Sequence, residues 1–68
     1  MRRIIMSLAE VKRRIKKARF KIIVEERLRD DHGTQIVTNY GHVVNVYDTK
    51  TVVIQGKHQQ QMCEILTQ

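Results

Sequence analysis

Polar and apolar residues alternate with period two from Val43 to Gln55, and apolar residues recur at helical spacing on both sides of that stretch. Val44 and Val46 point to one side, and Val43, Asn45 and Tyr47 to the other. Beyond Asp48-Thr49-Lys50, Val52 and Ile54 share one side, and Thr51, Val53 and Gln55 the opposite one. Alternation over two arms predicts a half-exposed antiparallel hairpin. Its purely aliphatic side is expected to be core. The other side mixes amides, a hydroxyl, a phenol and valines, and can both hydrogen-bond and stack. Hairpin tips favour Gly or Asn at a left-handed position, and here Lys50 is expected to occupy it.

The flanking patterns predict the remaining elements. Ser7 is a good N-cap, and Glu10 three residues later predicts a capping box. Leu8, Val11, Ile15 and Ala18 then form an apolar stripe, predicting a helix over 7–18, with Ile4 and Ile5 as a short lead-in. Residues 19–29 read as a long strand. Phe20, Ile22, Val24 and Leu28 face one way, with Glu26 out of pattern, and Lys21, Ile23, Glu25, Arg27 and Arg29 face the other. Asp30-Asp31-His32-Gly33 predicts a turn with Gly33 at positive φ. A second strand spans 34–39, with Ile36 and Val37 on opposite faces. Tyr40-Gly41 turns the chain into strands 42–47 and 51–55. Gly56 ends the last of these, and Met62, Ile65 and Leu66 mark a final helix over 57–67, with His58 placed to cap it. The expected fold is one α+β domain of two layers. Helices at both termini pack on one face of a four-stranded antiparallel sheet, and the other face stays open.

Length sharpens this picture. A chain of 68 residues buries only about 60% of its unfolded surface, and a core of this size supplies roughly 3–5 kcal/mol. Small domains use disulfides, metals or oligomers as support. A lone cysteine, Cys63, excludes an internal disulfide, and it reads as a small hydrophobe in the last helix stripe. His32, His42, His58 and Cys63 lack tight ligand spacing, so no metal or other cofactor is expected. Homo-oligomerisation is the expected support. No apolar run approaches the ~20 residues that span a bilayer, and the opening residues do not form a secretory signal. A free thiol fits a reducing, cytoplasmic setting.

Charge adds a partner class. The net charge is +6, and eleven of the thirteen Lys and Arg residues precede residue 30. Arg2, Arg3, Lys12, Arg13, Arg14, Lys16, Lys17, Arg19 and Lys21 face a single acid in that span, Glu10. Like charges at i and i+4, such as Lys12 with Lys16 and Arg13 with Lys17, repel by a few tenths of a kcal/mol. A cluster kept despite that repulsion reads as the footprint of a polyanion partner, with a solvated helix face that keeps the protein soluble as the alternative. A membrane-surface reading fails because the helix has no Trp or Phe on its apolar side and its stripe is needed for the core.

The hairpin also carries a resemblance. Tyr47, Thr49, Val52, Val53, Gln55 and Gly56, followed by a helix, match in order the end of a half-domain of the TATA-binding-protein-like family. The N-terminal domain of bacterial ribonuclease HIII is similar in this region. The match covers about fifteen residues, and the family's turn glycine is replaced by Lys50. The resemblance implies that the open sheet face sits on nucleic acid, with Asn45, Tyr47, Val53 and Gln55 as contacts. Lys21, Ile23 and Arg27 of the first strand would extend that surface. Arg29 and Lys50 are the further candidates for phosphate, and Lys12, Arg13, Lys16 and Lys17 form a secondary basic patch. A homodimer would supply the second half of a two-fold saddle.

No Ser/His/Asp or Cys/His set has a spacing that supports catalysis, and Asp30-Asp31-His32 reads as an ordinary turn. The expected function is therefore non-enzymatic nucleic-acid binding. The competing expectation is a protein-interaction or dimerisation module whose sheet face or edge binds an acidic protein or a second copy.

Overall fold

The computed structural model describes residues 4–67; Arg2 and Arg3 of the basic cluster lie outside the described residues. The order is β1 (Ile4–Ile5), α1 (Leu8–Lys17), β2 (Ile22–Arg27), β3 (Gly33–Thr38), β4 (His42–Tyr47), β5 (Thr51–Gly56) and α2 (Gln59–Thr67). The sheet is antiparallel and runs β1-β5-β4-β3-β2. It therefore has five strands, where four are expected from the sequence. The added strand pairs Ile4 with Val52 and Ile5 with Thr51, and the Met6 amide continues the ladder onto Lys50 O at 2.8 Å. Two residues are too few to show a period, so the lead-in becomes a strand only because the β5 edge lies beside it.

Helix α1 starts as expected. The Ser7 Oγ accepts the Glu10 amide at 3.3 Å, which satisfies one of the orphan donors of the first turn. The reciprocal half of the expected capping box is absent, because the Glu10 carboxylate binds Arg13 and Arg14 instead. Two guanidinium groups offer a carboxylate stronger hydrogen bonds than one backbone amide does. Arg19, at φ 68°, turns the chain out of the helix, so β2 begins at Ile22 rather than near residue 19.

The hairpin arms pair in the register that their alternation predicts, with Val44 opposite Ile54, Asn45 opposite Val53 and Val46 opposite Val52. Val44, Val46 and Val52 are buried with Ile4 and Ile36, under Val11 and Ile15 of α1 and Met62 and Leu66 of α2. Both helices lie on this face. Burying each of these side chains contributes roughly 1.5–3 kcal/mol. Among the described residues no helix is long and apolar enough to cross a membrane.

Strand β2 departs from the expected alternation. A β-bulge between Ile22 and Val24 inserts one residue against β3, which reverses the phase of everything after it. Ile22 pairs with Thr38, but Val24 pairs with Val37, Glu25 with Ile36, Glu26 with Gln35 and Arg27 with Thr34. Val24 and Glu26 thus stand on the open face, and Glu25 and Arg27 on the helix face. Each of these four is the reverse of the sequence expectation. Lys12 of α1 reaches Glu25 at 3.0 Å, across the helix face.

The turn before β3 also differs. Positive φ falls on Asp31 (59°), not on Gly33. Gly33 is needed for space instead: a Cβ there would lie 2.8 Å from Val46 O and 2.9 Å from Tyr47 Cα. Lys50 does take the left-handed conformation, at φ 71°.

Candidate nucleic-acid interface

The open face is built in rows that cross the strands. Val53, Asn45, Gln35 and Glu26 lie in register across β5, β4, β3 and β2. Beside them run Gln55, Val43, Val37 and Val24. On the other side stand Tyr47, opposite Gly33, and Thr51, beside Ile5. The described residues place neither helix on this face. Its centre holds valines and amides, and Glu26 is its one ionisable carboxylate among the paired residues.

Asn45 sits in the middle of that surface and is only 5% exposed. Its Oδ1 is buried without a hydrogen-bond partner. An unsatisfied buried acceptor costs about 1–3 kcal/mol, and a partner's donor reaches it only when the neighbouring side chains move aside. Val53 is partly exposed, Gln55 is exposed and Tyr47 is half-buried. These four residues come together as the sequence expectation has it. Sequence reasoning missed Gln35, Val37 and Ile5 of the same face. The register of β3 supplies the first two and the short β1 the third, and neither leaves a pattern in the chain.

Cations stand at both ends of the face. Lys50 and Arg29 lie in the turns at one end, since Gly33 pairs with Tyr47 there. Lys21 lies at the other end, where its carbonyl accepts the Asn39 amide at 2.9 Å. Lys57, not singled out in the sequence, lies at that same end, with its amide donating to Gly41 O at 3.2 Å. None of the four has an acidic partner among the described residues. Ile23 is 61% exposed at the bulge on the sheet edge.

Arg27 is the expected site residue that the structure removes. It lies on the helix face and is held by Asp31 at 2.9 Å and Asp48 at 3.0 Å, with Thr34 Oγ1 at 3.3 Å. The bonds to Asp48, then Asp31, push its pKa further up, and the bond from Arg27 holds that of Asp48 down. Its guanidinium ties the β2–β3 turn to the β4–β5 turn and is not free for phosphate. The bulge is the cause, since without it Arg27 would alternate onto the open face.

The secondary patch is only partly available. Lys12 is engaged by Glu25 and Arg13 by Glu10, while Lys16 and Lys17 have no acidic partner among the described residues. All four belong to α1, in the layer behind the sheet.

His42 is fully buried on the helix face. Thr38 Oγ1 lies 2.8 Å from its Nδ1 and accepts the amides of Tyr40 and His42. That hydroxyl therefore donates its own proton to Nδ1, which leaves Nε2–H to donate to Gln61 Oε1 at 2.9 Å. Phe20 packs edge-on at 5.0 Å, and Tyr40 stacks at 5.8 Å. With both nitrogens engaged, the ring pins α2 to the sheet. His58 lies at positive φ before α2, its ring against Tyr40, and its carbonyl accepts the Met62 amide. Among the described residues no three His, Cys, Asp or Glu side chains are placed to hold a metal ion.

Comparison with protein-family models, with curated proteins and with solved structures returned no match.

Proposed function

We propose that this chain is a non-enzymatic nucleic-acid-binding module of TATA-binding-protein-like type, acting in the cytoplasm through its open sheet face. The observation that carries the reading is the face itself. It is an uncovered surface of valines and amides around the unsatisfied Asn45, with unpaired cations at both ends. Valines press against sugars and base edges, and the amides of Gln35 and Gln55, joined by Asn45 when its neighbours move aside, exchange hydrogen bonds with base edges. Lys21, Arg29, Lys50 and Lys57 supply phosphate contacts, which position without reading sequence.

The test is fluorescence anisotropy with labelled duplex DNA, single-stranded DNA and an RNA–DNA hybrid over a salt series. Binding that weakens steeply with salt is expected, since four neutralised phosphates give a slope of about −3 to −4 in log affinity against log salt. Asn45→Ala with Gln55→Ala should reduce binding without changing that slope, and Lys21→Ala with Lys50→Ala should flatten it. Failure of all three ligands to bind at low salt would refute the proposal. Loss only on substituting Lys16 and Lys17 would move the site to α1.

One observation favours a second reading, in which the face is covered by a second copy. Val24, Val37, Val43 and Val53 make it apolar, and its only paired carboxylate stands at one edge. Sedimentation separates the two readings: a self-association that salt does not weaken belongs to the dimer.

A further inference from the structure

A groove of about 480 Å³ runs between α1 and the outer edge of β2. Apolar Phe20, Ile22, Ile23 and Val24 line it together with Lys12, Lys16, Lys21 and one acid, Glu25. We infer that this groove takes an extended acidic peptide, which adds as a sixth strand along β2. The groove adjoins the open face and shares Lys21 and Val24 with it, so an N-methylated peptide and a duplex competitor, rather than a lysine variant, separate this inference from the nucleic-acid reading.

Three observations carry it. The first is the backbone. β2 is the last strand of the sheet. Lys21 and Leu28 direct their backbone groups toward β3, through Asn39 and Gly33, so the alternation of an antiparallel ladder leaves those of Glu25 and Arg27 directed outward. An extended peptide offers donors and acceptors in the matching order. A phosphate backbone offers acceptors only, and so could not satisfy the outward carbonyls.

The second observation is charge. Lys16 and Lys21 have no acidic partner among the described residues, and Lys12 has only Glu25, with about a third of its side chain still exposed. Three ammonium groups beside one carboxylate leave a local excess of positive charge. An incoming strand meets it by turning alternate carboxylates toward α1.

The third is Ile23. The bulge leaves it without a cross-strand partner, and it is 61% exposed. Edge strands ordinarily carry charge at such positions to block pairing. Here an isoleucine lies in a groove that Phe20, Ile22 and Val24 also line. The occupant's remaining side chains, if apolar, cover Ile23 and extend the row of Val24, Val37 and Val43. The fitting ligand is therefore a strand in which acidic and apolar residues alternate.

The test is calorimetric titration of the full chain with a peptide of about eight residues alternating Glu and Val, with the binding site mapped by amide chemical shifts. Three comparisons accompany it: the same peptide N-methylated at alternate amides, a Lys-for-Glu peptide, and a short duplex DNA as competitor. Shifts are expected along Lys21–Arg27 and at Lys12 and Lys16. N-methylation on the pairing edge and the Lys16→Glu/Lys21→Glu variant should each weaken binding about tenfold or more, and the Lys-containing peptide should not bind. A dispersed amide spectrum for the variant separates loss of the site from loss of the fold, and Ile23→Thr, which keeps a β-branched residue, provides a second and milder variant. Absence of binding at low salt, shifts centred on the open face, indifference to N-methylation, or displacement by the duplex with the same residues shifted would each overturn the inference.

Discussion

Asn45 holds a buried acceptor with no donor, at the centre of an otherwise well-paired sheet. Asn45→Val removes that acceptor and places a β-branched residue in a strand, so it should stabilise the fold by about 1 kcal/mol. By the proposed function it should also reduce nucleic-acid affinity. A chemical-denaturation midpoint and an anisotropy titration check the two effects. Lys50 makes the same point about backbone. A lysine at φ 71° costs roughly 1–2 kcal/mol relative to glycine, so Lys50→Gly should raise stability by up to about 1 kcal/mol while removing a cation from one end of the face. Gly33→Ala should do the opposite. Its new Cβ would strike Val46 O and Tyr47 Cα, both backbone atoms that cannot turn aside. A loss of about 1–3 kcal/mol is expected in denaturation.

In helix α1 one carboxylate, Glu10, is shared between two arginines. The hydrogen bonds from Arg13, then Arg14, lower the Glu10 pKa from 4.5 to about 2. A depressed carboxyl pKa gives stability that is fully present above the unfolded value and lost as pH falls through the folded one. Glu10 therefore contributes above about pH 4.5 and stops contributing near pH 2. Asp48, depressed by its bond to Arg27, acts in the same direction. Melts between pH 5 and pH 2 should show falling stability, and Glu10→Gln should flatten part of that slope. Added salt should shrink the difference, since the pairs lie at the surface. At β2 the decisive feature is the bulge. It exchanges Glu25 and Arg27 for Val24 and Glu26 on the open face. The exchange removes one cation from the candidate interface and creates the clamp between two turns.

For the whole molecule, net charge dominates. A charge of +6 on a chain of 68 residues repels itself, and screening relieves that repulsion. Raising salt from low to moderate at neutral pH should therefore raise Tm, by about 2–5 °C if the gain is near half a kcal/mol or somewhat more. Nucleic-acid binding should weaken over the same range, so a thermal-shift series with and without duplex DNA should give salt slopes of opposite sign. If a second copy covers the open face, Tm should also rise with protein concentration.

The alternation of the Val43–Gln55 stretch already contained the hairpin, its core side and four residues of the candidate face. Each side of a strand repeats every second residue and needs no distant information. The N-cap at Ser7, the apolar stripes of both helices, the α+β class and the left-handed Lys50 were legible for the same reason: each is a local preference. What lay outside the sequence depended on contacts between distant segments. The five-strand count needed β5 to sit beside two lead-in residues. The placement of Glu25, Glu26 and Arg27 needed the bulge, which is a fact about how β2 meets β3 and not about β2 alone. The burial of His42 between Thr38 and Gln61, and the isolation of Asn45 Oδ1, needed the packed sheet. In the hairpin, sequence by itself determined which residues share a face; in β2 it did not. Tertiary structure decided which face, because a shift of one residue in register reverses every side chain beyond it.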